Sequence, residues 1–253
     1  MHIPCIYFAA LVTLAAAAVI PQVDLDRRQD AETITYRDCT WEKAFLEADF
    51  EEMQALARKA AEHADSNNGL FKAFFGEEPP RANIKDSTIK KRYTAISNFK
   101  SKPRKSINIR CNTASIPACR PANHIVAADK GGPNIYICNS YWHTRRDGLL
   151  RKMSPSKQPS RFRPLDQYIS VGAQLLHELT HAWFVTDDHT VTNPATRGVE
   201  KAYSHRNALL LARENAVKAR DNADNYKLFA IASYFDSSHW SVNPDQLSGD
   251  REL

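Results

Sequence analysis

Beyond its first twenty residues the sequence has no long apolar run, and its mean hydropathy is −0.50. A polytopic membrane protein is therefore excluded. No Cys-x-x-Cys pair occurs, which argues against a zinc ribbon. No Asn-x-Ser/Thr sequon occurs, so N-glycosylation is not expected. Internal repeats are absent, and no linker divides the chain after Cys39. What is present is ordinary globular material: 253 residues, 43 % hydrophobic and 25 % charged. That is enough for one well-buried domain with a short appendage, and it excludes wholesale disorder.

The one apolar run, residues 1–20, contains small residues at Ala16 and Ala18 and is short for a bilayer anchor. Although a basic n-region is missing, it reads as a signal peptide over 1–20, which makes the mature protein secreted, extracellular and free of the membrane. Arg27-Arg28 reads either as the end of a short pro-segment at 21–28 or as two solvated arginines; 29–253 is then a single domain. Cys5 leaves with the signal. Cys39, Cys111, Cys119 and Cys138 remain, an even number in an oxidising compartment, so two disulfides are expected with three pairings open. Net charge is +5, and it is concentrated: residues 81–110 hold ten Lys or Arg against one acid, Asp86, and a second basic stretch spans 145–163. Without a nucleic-acid motif beside it, this reads as a soluble basic face, and no nucleic-acid partner is expected.

Ala44, Leu46, Ala48, Phe50, Met53, Leu56, Ala57 and Ala60 recur at helical spacing, predicting a helix over 41–64 that stops at Asn67-Asn68-Gly69. A shorter helix is expected over 87–99. Ile107-Asn108-Ile109-Arg110-Cys111 and Asn134-Ile135-Tyr136-Ile137-Cys138 alternate as strands do. The best helix spans 165–185, with an apolar stripe of Tyr168, Val171, Leu175, Leu176, Leu179 and Trp183. Helices over 200–218 and 221–235 follow.

Inside that best helix lies His177-Glu178-Leu179-Thr180-His181. Residues four apart share a helix face, so both imidazoles can reach one zinc ion, with Glu178 placed to move a proton from water. Two surface histidines would read the same way. Their neighbours Leu175-Leu176 and Ala182-Trp183-Phe184 are apolar, and unliganded paired histidines are costly to bury. Phe184 and Asp187 stand where the metzincin pattern needs Gly and His, so that class is excluded. The third ligand is open among Asp187, Asp188, His189, Glu200 and His205. Asp187 and Asp188 follow the helix closely and need a sharp reversal to face the metal. Glu200, with eighteen residues between it and His181, is favoured, with Asp188 in reserve.

The segments Glu200-Lys201-Ala202-Tyr203-Ser204 and Asn222-Ala223-Asp224-Asn225-Tyr226, together with His-Glu-x-x-His, resemble the aspzincins, the deuterolysins and fungal peptidyl-Lys metalloendopeptidases. Their signature continues Gly-Thr-x-x-Asp-x-x-Tyr-Gly and then a helix carrying Asn-Ala-Asp. Tyr36-Arg37-Asp38-Cys39 and the two strand segments resemble the family's cysteine-bearing parts, which implies pairing Cys39–Cys111 and Cys119–Cys138. The resemblance implies an α+β, mainly helical zincin-like domain with a small disulfide-bonded β-sheet. It also implies one catalytic Zn2+ on His177, His181 and Glu200, and protein or peptide substrates. Tyr203 falls on the tyrosine that stabilises the transition state, and Asp224 on a substrate-binding acid. Gly-Thr is missing before Glu200, Ser204 replaces Gly, and residues 187–196 read as an insertion. The family's second lysine-binding acid falls on Lys227, a cation that would repel a substrate lysine. The expected function is thus a secreted, monomeric zinc metalloendopeptidase without clear lysine specificity; the alternatives are a zinc-binding protein that has lost turnover, or a basic surface-binding effector with structural zinc.

Overall fold

A computed structural model describes residues 34–247, except 66, 81, 102–103, 122–123, 147–163, 195 and 236–239. The signal peptide expected at 1–20, the pro-segment at 21–28 and most of the second basic stretch lie outside the described residues. In chain order the elements are β1 (Ile34–Arg37), α1 (Lys43–His63), α2 (Gly69–Phe75), α3 (Asp86–Ser97), β2 (Ile107–Arg110), β3 (Val126–Ala128), β4 (Asn134–Ile137) and α4 (Asn139–Arg146). They continue with α5 (Val171–Phe184), β5 (Thr190–Thr192), β6 (Val199–Lys201), α6 (His205–Glu214), α7 (Ala216–Ala219) and α8 (Ala223–Tyr234). The fold is α+β: a helical core flanked by a small sheet.

The apolar stripe of α1 (Leu46, Phe50, Met53, Leu56, Ala57, Ala60) is buried, and the helix packs against α3, α5 and α8. Contact with α5 is close enough that a Cβ on Gly172 would lie 2.8 Å from the Met53 backbone nitrogen. The helix α2 was not expected. Asn68, read as part of a stop signal, also caps a new helix: its side-chain oxygen accepts the Leu70 N–H at 2.9 Å. Phe71, Phe74 and Phe75 of α2 are then fully buried against Tyr226 and Phe229 of α8.

The sheet has the order β1-β2-β4-β3, with β1, β2 and β4 parallel and β3 antiparallel to β4, so β3 is its last strand. The disulfides are Cys39–Cys111 and Cys119–Cys138. The first ties the residues after β1 to the end of β2. The second anchors the turn Pro117–Cys119, which leads towards β3, to the end of β4.

Two expected helices divide. Residues 165–185 form a 3-10 turn, Leu165–Tyr168, and then α5. At the break Ser170 is extended and its hydroxyl accepts the Ala173 N–H at 3.1 Å. Residues 200–218 begin as a strand. The helix starts only at His205, where the Ser204 hydroxyl accepts the Asn207 N–H.

Candidate active site

One turn apart on α5, His177 and His181 bring their Nε2 atoms within 3.0 Å of each other, with the rings nearly perpendicular. His177 is buried and His181 half-buried, while the apolar neighbours Leu175, Leu176, Ala182, Trp183 and Phe184 are buried. The Thr186 carbonyl accepts a hydrogen bond from His181 Nδ1 at 2.8 Å, which puts the proton there and leaves the Nε2 lone pair free. His177 Nδ1 faces Asp224 Oδ2 at 3.5 Å.

The reversal that Asp188 needed is made at Val185. Its φ of 60° and ψ of 29° are left-handed, and its N–H closes the helix on the His181 carbonyl. A β-branched residue rarely adopts this conformation, so the surroundings must hold it. Thr186 and Thr180 share a hydroxyl hydrogen bond at 2.9 Å, and the Gly131 N–H also donates to the His181 carbonyl. Two backbone bonds then lock the loop to the start of α8: the Asp187 N–H to the Asp221 carbonyl, and the Ala223 N–H to the Asp187 carbonyl. The Asn222 amide oxygen accepts the His189 N–H at 2.9 Å. Asn225 supports Asn222 from behind and itself bonds the Phe74 and Ala208 carbonyls. This clamping role of Asn222 and Asn225 went unread in the sequence.

As a result Asp188 turns back onto α5. Its Oδ1 lies 3.5 Å from His177 Nε2 and 3.3 Å from His181 Nε2, while its Oδ2 accepts a hydrogen bond from Tyr203 Oη at 3.0 Å. His177, His181 and Asp188 thus offer three donor atoms within 4.8 Å of one another. Among the described residues, buried Asp188 Oδ1 and His177 Nδ1 have no hydrogen-bond partner. The donor set and the orphaned carboxylate oxygen both fit a divalent cation.

Glu200, the expected third ligand, stands outside this group of donors. It pairs with Val191 across the β5–β6 hairpin, and its carboxylate accepts from Asn193 Nδ2 (3.0 Å), Thr196 Oγ1 (3.2 Å) and Asn207 Nδ2 (3.2 Å). The stretch between Asp188 and Tyr203 holds the β5–β6 hairpin, and Glu200 fastens that hairpin to α6.

Two of the remaining candidates, Asp187 and His189, gather with Asp221 in a second, more exposed group of donor atoms within 4.8 Å of one another. The Asp187 carboxylate pairs with Lys130 at 2.6 Å, and His189 Nε2 faces Asp221 at 3.5 Å. His205 is fully buried, stacks on Phe74 and accepts the Leu165 N–H; burial pushes its pKa down to about 3.

Glu178 stands beside the cluster, its Oε1 3.8 Å from His177 Nε2, and burial pushes its carboxyl pKa up to about 8. Burial opposes ionisation of Asp188 too, but the two imidazoles hold it well below the usual carboxylate range. Asp224 is raised to about 6 by burial, against the opposing pull of Lys227. His177, Glu178, His181, Asp187, Asp188, Tyr203, Asp224 and Lys227 line one cleft of about 590 Å³, together with Val126, Ala127 and Ala128 of β3 and with Lys130 and Lys201.

The family pattern of the aspzincins, described as lysine-specific metallo-endopeptidase, matches residues 60–231. Neutral protease 2 homolog MEP5 of Coccidioides posadasii (strain C735) is 25 % identical over a match of 228 residues that covers 85 % of this chain. The chain spans about half the length of that curated relative, 51 %. A solved zinc peptidase from Grifola frondosa is 19 % identical, covering 76 % of this chain and 96 % of its own, with a TM-score of 0.48. The matched segment contains α5, Asp188, Tyr203 and Asp224, and by it the chain belongs to the aspzincin family.

Proposed function

We propose that this chain is a secreted zinc-dependent metalloendopeptidase that hydrolyses peptide bonds of proteins or peptides, with one catalytic zinc held by His177, His181 and Asp188. The observation that carries the reading is the buried Asp188 Oδ1, which has no hydrogen-bond partner among the described residues and faces both imidazoles beside Glu178. Two imidazoles and a carboxylate are the kind and number of protein donors a catalytic zinc site uses. When bound, zinc supplies Lewis acidity and lowers the pKa of water to about 7.

The chain's own groups do the rest. Glu178 takes the proton of the attacking water and returns it to the leaving amine; its buried carboxylate is a stronger base than one in solvent. With a cation on the neighbouring donors, Glu178 would be held ionised before attack. Tyr203 reaches over Asp188 with its hydroxyl and can turn it to the oxyanion of the tetrahedral intermediate. Thr186 keeps His181 in the tautomer that presents Nε2. An extended peptide can add to β3, the last strand of the sheet, whose three residues line the cleft. Two disulfides suit an oxidising, extracellular compartment, and among the described residues no helix is long and apolar enough to cross a membrane.

The test is cleavage of a denatured peptide mixture by zinc-loaded protein, with new termini read by mass spectrometry. Cuts should vanish with chelator, return with zinc and be absent from Glu178→Ala. A protein that holds zinc and makes no cuts overturns the reading.

A further inference from the structure

The cleft contains a charge pair that peptide hydrolysis does not use. Asp224 and Lys227 lie three residues apart on α8, so they share a face, and both line the cleft beside the metal-binding cluster. Both are buried, Asp224 at 0 % and Lys227 at 4 % exposure. Lys227 Nζ is in direct contact with Asp224 Oδ1, while Asp224 Oδ2 faces His177 Nδ1. A lone carboxylate buried in a cleft needs a cationic partner and would draw one from the substrate. Here the next turn of the same helix already provides that partner.

We propose that Lys227 is an internal counter-ion that fills the cation-accepting part of the cleft, so that the subsite beside His177 rejects lysine and arginine and takes uncharged side chains. The inference rests on the endopeptidase reading and departs from the lysine specificity in the family's description. A substrate ammonium entering this subsite meets the Lys227 charge, and the carboxylate that would compensate it is already engaged. Two further lysines line the cleft: Lys130 pairs with Asp187, and Lys201 donates to the Asp188 carbonyl. The paired charges of Asp224 and Lys227 cancel, and Ile169, Ala127 and Ala128 provide apolar wall, so an uncharged side chain loses least on entry.

The experiment is cleavage profiling of the zinc-loaded protein, reading the residues on both sides of every cut, for the wild type, Lys227→Met and the double variant Asp224→Asn/Lys227→Met. Wild-type cuts should show lysine and arginine depleted at one flanking position relative to the mixture. Lys227→Met should enrich lysine there by about tenfold, and the double variant should lose that enrichment. Since Lys227→Met leaves a buried carboxylate alone and risks misfolding, a second measurement uses the wild type only. Matched peptides with lysine or norleucine at that position should differ by about tenfold in kcat/KM in favour of norleucine. Cuts enriched at lysine in the wild type, or a profile unchanged in folded Lys227→Met, overturn the assignment of Lys227 and leave the endopeptidase intact. No chelator-sensitive cut from any protein overturns the endopeptidase reading, and this one with it.

Discussion

Tyr203 donates its hydroxyl to Asp188 Oδ2 at 3.0 Å, so the residue proposed to steady the oxyanion meets the proposed third metal donor at its carboxylate. The β5–β6 hairpin between them only has to return the chain to the cleft. Tyr203→Phe removes the donor while leaving the ring in place. We expect kcat to fall by about 10²–10³-fold, with zinc affinity reduced by no more than the about 10–100-fold typical of a supporting residue. Steady-state kinetics beside a zinc titration separates the two effects, and an unchanged kcat removes Tyr203 from the reaction.

Asp188 and Glu200 make opposite predictions for the metal. Asp188→Asn should weaken zinc binding by more than the about 10–100-fold typical of a supporting residue. Glu200→Gln should retain zinc, because its carboxylate serves the hairpin and α6. Zinc content after dialysis against a graded chelator distinguishes them. Loss of zinc from Glu200→Gln in a folded protein would restore Glu200 as a ligand.

His205 makes the fold acid-sensitive. Its folded pKa of about 3 lies below the ordinary 6.5, so the fold favours the neutral ring and protonation favours the unfolded chain. The contribution is complete above pH 6.5 and is lost as pH falls towards 3, by about 1.4 kcal/mol per pH unit. Urea unfolding of metal-free protein at pH 7, 5 and 4 should show a shallower acid limb for His205→Gln than for wild type. Equal limbs would mean that other groups set the acid limit.

Gly172→Ala tests the α1–α5 contact. Alanine improves helix propensity by about 1 kcal/mol, but its Cβ would sit 2.8 Å from the Met53 nitrogen and 2.9 Å from Glu52 Cβ. Backbone cannot rotate away, so overpacking of about 1–3 kcal/mol wins. A Tm lower by about 3–6 °C is expected in calorimetry, and an unchanged or higher Tm would show that the helices can move apart.

Much of the protein was legible in its chain. The stripe of α1, the alternation of β2 and β4, and His177-Glu178-Leu179-Thr180-His181 within an apolar helix are local patterns, and each appears where its periodicity put it. The short helix α2 was hidden because Asn68 serves both as a stop and as a cap. Glu200 misled for a related reason: spacing along the chain says nothing about which residues between two points fold away as a hairpin. Asp188 was set aside because it required a sharp turn, and Val185 carries no sign of one. Propensity speaks against a left-handed valine, and only tertiary partners such as Gly131, Thr180 and the start of α8 hold it there. Lys227 could be read as a charge in the wrong place, but its burial against Asp224 could not. Sequence by itself determined the elements whose energetics are local, together with the metal-binding pair that one helix turn brings together. Tertiary structure decided which carboxylate faces the two histidines and what the cleft contains. Both depend on groups distant in the chain, whose charges and backbone bonds acquire partners only once the core has closed around them.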